Sequence, residues 1–228
     1  IIENPKGYGR IIRSNNGDTV LGIVEEKDAT EEEKNISEIN TGTYVFDGGF
    51  LKENLFNLDN KNSQGEYYLT DLLKMANESG LKTAGYVLSD PGEALGINDR
   101  EQLAQASAIL RKRKIRQLML DGVTFIDPET AYIDSQVKIS QDVIIYPNVI
   151  IEGETEIGED NIIGPDTLII DSKIGTANQI EKSKILESSV ASNCNIGPYA
   201  YLRPGADIRD NVKIGDFVEI KKSIIGEG

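Results

Sequence analysis

Residues 133–163 read IDSQVKISQDVIIYPNVIIEGETEIGEDNII, and an isoleucine stands at every sixth position. A period of six matches neither the 3.6-residue repeat of an α-helix nor the two-residue alternation of a single strand. It is typical of hexapeptide repeats, in which three short faces complete one triangular coil of a parallel β-helix. We therefore predict that one isoleucine of each hexad points inward and stacks on its equivalent in the next coil.

The period continues on both sides of two slips in the frame. An ordinary β-sandwich would instead show irregular spacing of about 8–12 residues between turn signals. About sixteen hexads predict about five coils. The predicted inward positions are Ile133, Ile139, Ile145, Ile151, Ile157, Ile163, Ile169, Ile174, Ile180, Leu186, Val190, Ile196, Leu202, Ile208, Ile214 and Ile220.

Composition excludes several classes of protein. The net charge is −14, from 24 basic and 38 acidic residues, which predicts that neither nucleic acid nor a membrane is a partner. Cys194 is the one cysteine and histidine is absent. The chain therefore has no internal disulfide, His-ligated zinc or histidine triad. We expect a cytoplasmic protein, and the first residue, Ile1, indicates a piece of a longer chain.

Charge and pattern divide the chain into three predicted parts, which are residues 1–101, 102–122 and 123–228. The first part mixes strands, predicted at Val20–Val24 and Thr43–Phe46, with a helix from about Thr70 to Ser79, so an α/β layer domain is expected. The last part is the β-helix.

The middle part is predicted to be a basic connecting helix. Asn98 or Asp99 can cap its start, with Gln102 in the capping-box position, and Gly122 can end it. The basic residues between 111 and 116 are interpreted as a solvated helix face.

Five short motifs in the first part place chemistry-bearing residues near turns. Each also has a simple structural explanation: a turn, a solvated carboxylate or a helix cap. The five are Asn4–Ile11, which contains Gly9; Gly22–Ala29, which contains Glu25; Glu38–Gly42, which contains Asn40; Gln64–Asp71, which contains Glu66 and Tyr68; and Gly96–Arg100, which contains Asn98.

The order and spacing of these motifs, together with IGPYAYLRPGA at 196–206 and GDFVEIKK at 215–222, resemble a bacterial family across essentially the whole chain. It is the family of bifunctional N-acetylglucosamine-1-phosphate uridyltransferases / glucosamine-1-phosphate N-acetyltransferases. The resemblance implies a fragment of a Rossmann-like α/β nucleotidyltransferase domain, joined by a helix to a left-handed β-helix. It also implies a homotrimer assembled through the β-helix.

The resemblance further implies a transferase that makes UDP-N-acetylglucosamine for the cell wall. Acetyl-CoA acetylates glucosamine-1-phosphate, and uridylyl transfer from UTP follows with Mg²⁺ and release of pyrophosphate. The implied contacts to the UDP-sugar are Gly9, Glu25, Asn40 and Asn98, with Asn98 also a Mg²⁺ ligand and with Glu66 and Tyr68 lining the sugar pocket. Arg203 and Lys221 are the implied phosphate clamps of the acetyltransferase site.

The spacing of the two cations gives independent support for pairing them. Arg203 and Lys221 lie eighteen residues apart, which is one coil of three hexads, so they should project from the same face of adjacent coils.

Two departures from the family pattern lead us to expect no activity from this chain alone. The family's glycine-rich nucleotide loop and a metal-binding Asp do not appear, and neither does the His that serves as acetyl-transfer base. No catalytic residue is therefore predicted within the chain. The alternatives are another sugar-1-phosphate nucleotidyltransferase and a non-catalytic hexapeptide protein acting as a trimerising or regulatory subunit.

Overall fold

The structure is a computed structural model that describes residues 1–97 and 99–228, and its chain divides into two compact units. The first unit comprises Ile1–Gln102 and the second Leu103–Gly228. Within the described residues, no helix combines the length and apolar character needed to cross a membrane.

The first unit contains one antiparallel hairpin and several short helices. Strands β1 (Arg10–Arg13) and β2 (Val20–Val24) pair with each other. The helices α1 (Gly48–Asn54) and α2 (Asp71–Glu78) are accompanied by 3₁₀ turns at Glu33–Asn35, Leu55–Asn57 and Pro91–Ala94. The side-chain amide of Asn77, on α2, donates to the carbonyl of Val20 at 2.8 Å and so fixes the helix to the hairpin.

The strand predicted at Thr43–Phe46 is wrong. The segment is irregular and pairs with no strand of the described chain, and Val45 is 98% exposed. A β-rich composition cannot make a strand without a partner for its backbone groups. The only sheet among the described residues of this unit is antiparallel, so a Rossmann-like parallel sheet is not confirmed.

The second unit begins with a helix and continues as a parallel β-helix. Helix α3 runs from Arg100 to Leu120 across the boundary between the units, and the Asp99 carboxylate accepts from the Gln102 backbone N–H at 2.8 Å at its start. Gly122, with φ +98°, follows its end. Lys112, Arg113 and Arg116 are exposed, as the predicted solvated face requires. Lys114 differs, because it is half-buried and its Nζ donates to the carbonyls of Ser135 and Val137.

Eighteen short strands form the three flat sides of the β-helix, and each strand pairs in parallel with the strand three places further along. The first side consists of β3 (Thr124–Phe125), β6 (Ile144–Ile145), β9 (Ile162–Ile163), β12 (Gln179–Ile180), β15 (Asn195–Ile196) and β18 (Lys213–Ile214). The second side consists of β4 (Tyr132–Ile133), β7 (Ile150–Glu152), β10 (Leu168–Ile170), β13 (Lys184–Leu186), β16 (Tyr201–Leu202) and β19 (Glu219–Ile220). The third side consists of β5 (Lys138–Ile139), β8 (Glu156–Ile157), β11 (Lys173–Ile174), β14 (Ser189–Val190), β17 (Asp207–Ile208) and β20 (Ile224–Ile225).

The inward aliphatic residues form continuous columns, as the period predicts, with one correction. The register of β10 with β13 pairs Ile169 with Ile185, which is fully buried, whereas Leu186 is partly exposed. Leu186 was predicted because the six-residue count was continued from Ile180, but the turn after Ile180 is one residue shorter. The second-side column is therefore Ile133, Ile151, Ile169, Ile185, Leu202 and Ile220.

A polar column lies at one inner corner of this apolar interior. The Asn161 amide donates to the carbonyls of Gly158 and Gly175 at 2.8 and 2.7 Å, and its oxygen accepts from the Asn178 backbone N–H at 2.9 Å. Asn178 repeats the arrangement toward Cys194, whose backbone N–H it accepts at 2.7 Å. Each buried amide thus satisfies backbone groups of the next coil, as burial of a polar group requires.

Candidate functional site

The first unit brings three of the predicted UDP-sugar residues together. Because Arg10 pairs with Val24 in the hairpin, Gly9 lies opposite Glu25. A Cβ on Gly9 would be 3.1 Å from Glu25 Oε2, so a larger residue would fit only if the Glu25 side chain shifted. The Gly9 carbonyl accepts from the Asn40 backbone N–H at 2.8 Å. Gly9, Glu25 and Asn40 therefore form one local cluster, although they are far apart in sequence.

The environment of Glu25 is acidic and partly enclosed. Burial, followed by repulsion from Asp28, raises the pKa of the Glu25 carboxyl, and Asp71 adds to this shift. The Thr70 hydroxyl opposes the shift, yet it is buried and does not reach full hydrogen-bond geometry with any partner in the described chain. A carboxylate in such a place gains from a ligand that donates hydrogen bonds, and sugar or ribose hydroxyls do so.

Tyr44 was missed by the sequence analysis. Its hydroxyl donates to Asn40 Oδ1 at 2.9 Å, and burial raises the pKa of its phenol. The same Asn40 oxygen accepts from the Gly42 backbone N–H at 3.0 Å. Nothing in the sequence pattern marked Tyr44, because it lies in the segment that was predicted to be a strand.

Glu66 and Tyr68 differ in how far the structure supports placing them near this cluster. The Tyr68 hydroxyl donates to Asp28 Oδ2 at 3.2 Å and accepts from the Gln64 side chain at 2.7 Å, which links its loop to the turn after Glu25. The Glu66 side chain is exposed, and no hydrogen bond joins it to Gly9, Glu25 or Asn40 in the described chain. Asn98, the predicted Mg²⁺ ligand, lies outside the described residues.

The donor set for a metal is therefore incomplete in the part of the chain that the structure describes. No group of three or more His, Cys, Asp or Glu side chains in residues 1–97 and 99–228 is arranged to hold a metal ion. Magnesium prefers several oxygen ligands in octahedral geometry. The described residues alone do not fit a Mg²⁺ site.

The second candidate site lies on the second side of the β-helix, on its last two coils. Strands β16 and β19 pair Tyr201 with Glu219 and Leu202 with Ile220, and the Arg203 backbone N–H donates to the Ile220 carbonyl at 2.8 Å. Arg203 and Lys221 follow these pairs directly. The structure thus places them at equivalent positions of adjacent coils, as the spacing of eighteen predicts.

The two cations of this pair have different surroundings. Arg203 NH1 lies 2.6 Å from Glu219 Oε1, and its guanidinium carbon lies 5.9 Å from the centre of the Tyr201 ring. The hydrogen bond that Arg203 donates to the Glu219 carboxylate raises the pKa of Arg203 above its ordinary value. Lys221 is exposed, and no acidic partner contacts its ammonium group in the described chain. Together they present two positive charges and one carboxylate to solvent.

Cys194 belongs to neither site. It is a buried free thiol whose Sγ donates to the Arg209 carbonyl at 3.0 Å, and burial raises the pKa of this thiol. A thiol with a raised pKa is a weak nucleophile. Cys194 is therefore a packing residue of the β-helix core.

Comparison with known proteins agrees with the repeat. The family model described as bacterial transferase hexapeptide (six repeats) matches residues 136–171 and 187–222. The chain is 52% identical over 227 residues to the bifunctional protein GlmU of Acetivibrio thermocellus, and 51% identical over 227 residues to that of Clostridioides difficile. Each alignment covers 100% of this chain and 49% of the relative.

The chain belongs to the GlmU family. It spans about half the length of the curated relatives it matches, and its parallel β-helix is of the left-handed hexapeptide type. A solved structure of PerB from Caulobacter crescentus, in complex with CoA and GDP-perosamine, is 19% identical and covers 68% of this chain and 82% of its own, with a TM-score of 0.40. A TM-score of that size supports no inference about ligands.

Proposed function

We propose that the β-helix of this GlmU-family chain binds glucosamine-1-phosphate for acetyl transfer, with Arg203 and Lys221 holding its phosphate. The observation that supports this most directly is the placement of both cations at equivalent positions of adjacent coils, after the paired strands β16 and β19. Two cations one coil apart suit a dianionic group, because each can direct its donors at a different phosphate oxygen. Glu219, bonded to Arg203, is placed to attract the substrate's ammonium group.

The chemistry of the proposed reaction defines what this chain contributes. The sugar amine attacks the thioester carbonyl of acetyl-CoA, a C–N bond forms, the C–S bond breaks, and the amine proton passes to a base. Histidine is the side chain whose usual pKa suits that base, and the chain has none. Arg203, Lys221 and Glu219 therefore bind and orient the substrate, and we expect this chain alone to release no CoA at a useful rate.

We further propose that the first unit contributes to a binding site for UDP-N-acetylglucosamine. This UDP-sugar is the product of uridylyl transfer from UTP to N-acetylglucosamine-1-phosphate. The cluster of Gly9, Glu25 and Asn40 supports this, since it combines a position without a side chain, a partly buried carboxylate and an oriented amide. Mg²⁺, when bound, would neutralise the charge of the triphosphate. We also propose that the protein is cytoplasmic and that it assembles as a homotrimer through the β-helix.

The proposed phosphate clamp can be tested in the full-length protein that contains these residues. Arg203→Ala and Lys221→Ala should each raise the KM for glucosamine-1-phosphate in acetyl transfer by about ten- to a hundredfold, since a charge-assisted hydrogen bond contributes roughly 1.5–3 kcal/mol. Lys213→Ala, an exposed lysine on the first side of the same coil region, is the matched control. An unchanged KM in both clamp variants would refute the assignment.

The same variants separate the two activities. Uridylyl transfer should keep its rate in Arg203→Ala and Lys221→Ala, because neither residue belongs to the first unit. Glu25→Gln should have the opposite effect and weaken binding of UDP-N-acetylglucosamine without changing the KM for glucosamine-1-phosphate. Absence of both activities in the unmodified full-length protein would favour the non-catalytic alternative.

A further inference from the structure

One outer corner of the β-helix changes its chemistry along the axis. The corner that precedes each strand of the second side from β7 onward is occupied in turn by Asn148, Asp166, Lys182, Tyr199 and Phe217. All five have positive φ, between 45° and 62°. The first two are linked by a hydrogen bond of 3.1 Å between their side chains, whereas the last two are aromatic.

Aromatic residues are unfavourable in this backbone conformation. Asn and Asp tolerate positive φ because their short polar side chains bond locally, but a bulky side chain is strained there. The rings also gain little from burial, since Tyr199 is 54% and Phe217 is 82% exposed. Strain of this kind is found preferentially at ligand sites, where the surrounding structure maintains it. Neither burial nor local hydrogen bonding of the side chains therefore accounts for two aromatic residues at these corners.

The geometry of the pair suits a flat apolar ligand surface. The two rings are stacked, with centroids 5.4 Å apart and planes inclined by 9°. Phe217, Glu219 and Lys221 occupy the corner, the strand β19 and the position directly after that strand. Tyr199, Tyr201 and Arg203 occupy the equivalent positions on the adjacent coil. The face thus has an aromatic end, a cationic end, and a carboxylate between them.

We propose that Tyr199 and Phe217 pack against the hexosamine ring of the substrate and determine specificity for an amino-sugar phosphate. This inference rests on the proposed function, since it takes Arg203 and Lys221 as the phosphate end. In a 2-amino sugar 1-phosphate the amine is on the carbon next to the one that bears the phosphate. With the phosphate on the cations, the ammonium group faces Glu219 and the rest of the ring extends toward Phe217. Aromatic rings pack well against the apolar C–H face of such a ring.

The test is calorimetric binding of two probes to the 228-residue chain, glucosamine-1-phosphate and inorganic phosphate. The variant that combines Tyr199→Asn and Phe217→Asn should bind glucosamine-1-phosphate about three- to tenfold more weakly. It should bind inorganic phosphate with unchanged affinity. Asn relieves the backbone strain, so the melting temperature should be unchanged or higher, and a loss of affinity would not be due to misfolding.

Matched variants separate this inference from the proposed function. Arg203→Ala should weaken binding of both probes, and Asp166→Asn, at the same corner two coils away, should weaken neither. If Arg203→Ala leaves both affinities unchanged, the proposed clamp is wrong and the inference is overturned with it. If Arg203→Ala behaves as expected but the double variant keeps its affinity for the sugar phosphate, only the inference is overturned. The inference would also be overturned if the double variant bound both probes more weakly by the same factor. A lower molar mass of the double variant in light scattering would overturn it too, because it would show that the rings join copies of the chain.

Discussion

The two units of this chain are built by contrasting rules. In the β-helix, each strand pairs with a strand one coil away, and one inward column on the second side contains six stacked residues. In the first unit, the links join distant and unrelated positions, such as the Tyr8 hydroxyl with the Gly96 backbone N–H at 3.1 Å. The extended hydrophobic core lies in the second unit. The structure of the β-helix can be predicted from sequence because it repeats. The first unit has no repeat, so its contacts cannot be predicted in that way.

The largest expected effect breaks the stacking of coils. A Cβ on Gly175 would lie 2.6 Å from the Ala191 carbonyl oxygen, a backbone atom that cannot move without disturbing the next coil. Gly175→Ala should therefore lower the free energy of unfolding of the β-helix by about 3 kcal/mol or more. Urea denaturation followed by circular dichroism measures this change. Gly215→Ala is the control, because nothing lies within 4 Å of its added Cβ, and an equal loss there would contradict the stacking argument.

A smaller loss is expected when the polar column is interrupted. Asn161→Ala removes the donor to the Gly158 and Gly175 carbonyls and the acceptor of the Asn178 N–H. Leaving these buried groups without partners should cost about 2–3 kcal/mol. Asn195→Ala, at an exposed strand position, should change stability by less than about 0.5 kcal/mol. Similar values for the two variants would show that the buried amides are replaceable by water.

Acid should distinguish the first unit from the second. Arg13 forms two hydrogen bonds with Glu38, at 2.7 and 2.6 Å, and the hydrogen bond holds the pKa of Glu38 below its ordinary 4.5. A lowered folded-state pKa contributes stability above that ordinary value, and the contribution is lost as pH falls through the folded-state pKa. The protection factors of the β1 and β2 amides, taken relative to the intrinsic exchange rate at each pH, should therefore fall below about pH 4.5.

The variant Glu38→Gln identifies the source of that acid sensitivity. It should lose about 1 kcal/mol of protection at neutral pH and show a flatter dependence on pH in the hairpin. Amides of the Ile151 column should exchange identically in the variant and the parent chain. A hairpin that keeps its full pH dependence without Glu38 would assign the effect to other carboxylates.

The smallest effect is expected from an ion pair that resembles Arg13–Glu38 in distance but is exposed to solvent. Lys138 Nζ lies 2.7 Å from Glu156 Oε1 across two coils of the third side, with both side chains largely in solvent. Lys138→Ala should leave the urea midpoint unchanged within error, because solvent screens such pairs. A clear loss of stability would mean that cross-coil ion pairs also help set the register.

Sequence predicted much of the β-helix because its period is dictated by geometry. Fifteen of the sixteen predicted inward positions, all but Leu186, are buried in the columns. Leu186 failed because turns can lose a residue without any compositional sign. In the first unit the hairpin strand Val20–Val24 and the helix near residue 70 were found from local pattern.

The candidate sites were predictable to different degrees for the same reason. The pairing of Arg203 with Lys221 follows from counting residues. The grouping of Gly9, Glu25 and Asn40 came only from resemblance, since no period connects them. Tyr44 and Thr70 were not found, because their importance lies in burial and orientation, which a single sequence does not display. The strain that comes from positive φ at Tyr199 and Phe217 is likewise a property of the backbone, so the residue pattern does not display it.

The number of residues between successive members of the Ile133 column varies, yet each coil advances the β-helix by the same distance. Turns can each shorten by a residue, as two of them do between Ile169 and Ile185, and the inward residues still stack. What cannot vary is the advance per coil, which is the separation of paired strands, about 4.8 Å. Deleting one whole coil below Arg203 would move the cation pair one such step closer to the helical residues 103–120 while leaving the pair itself intact. The distance between helix residues 103–120 and the Arg203–Lys221 pair can therefore change only in steps of one coil, and the number of coils sets it.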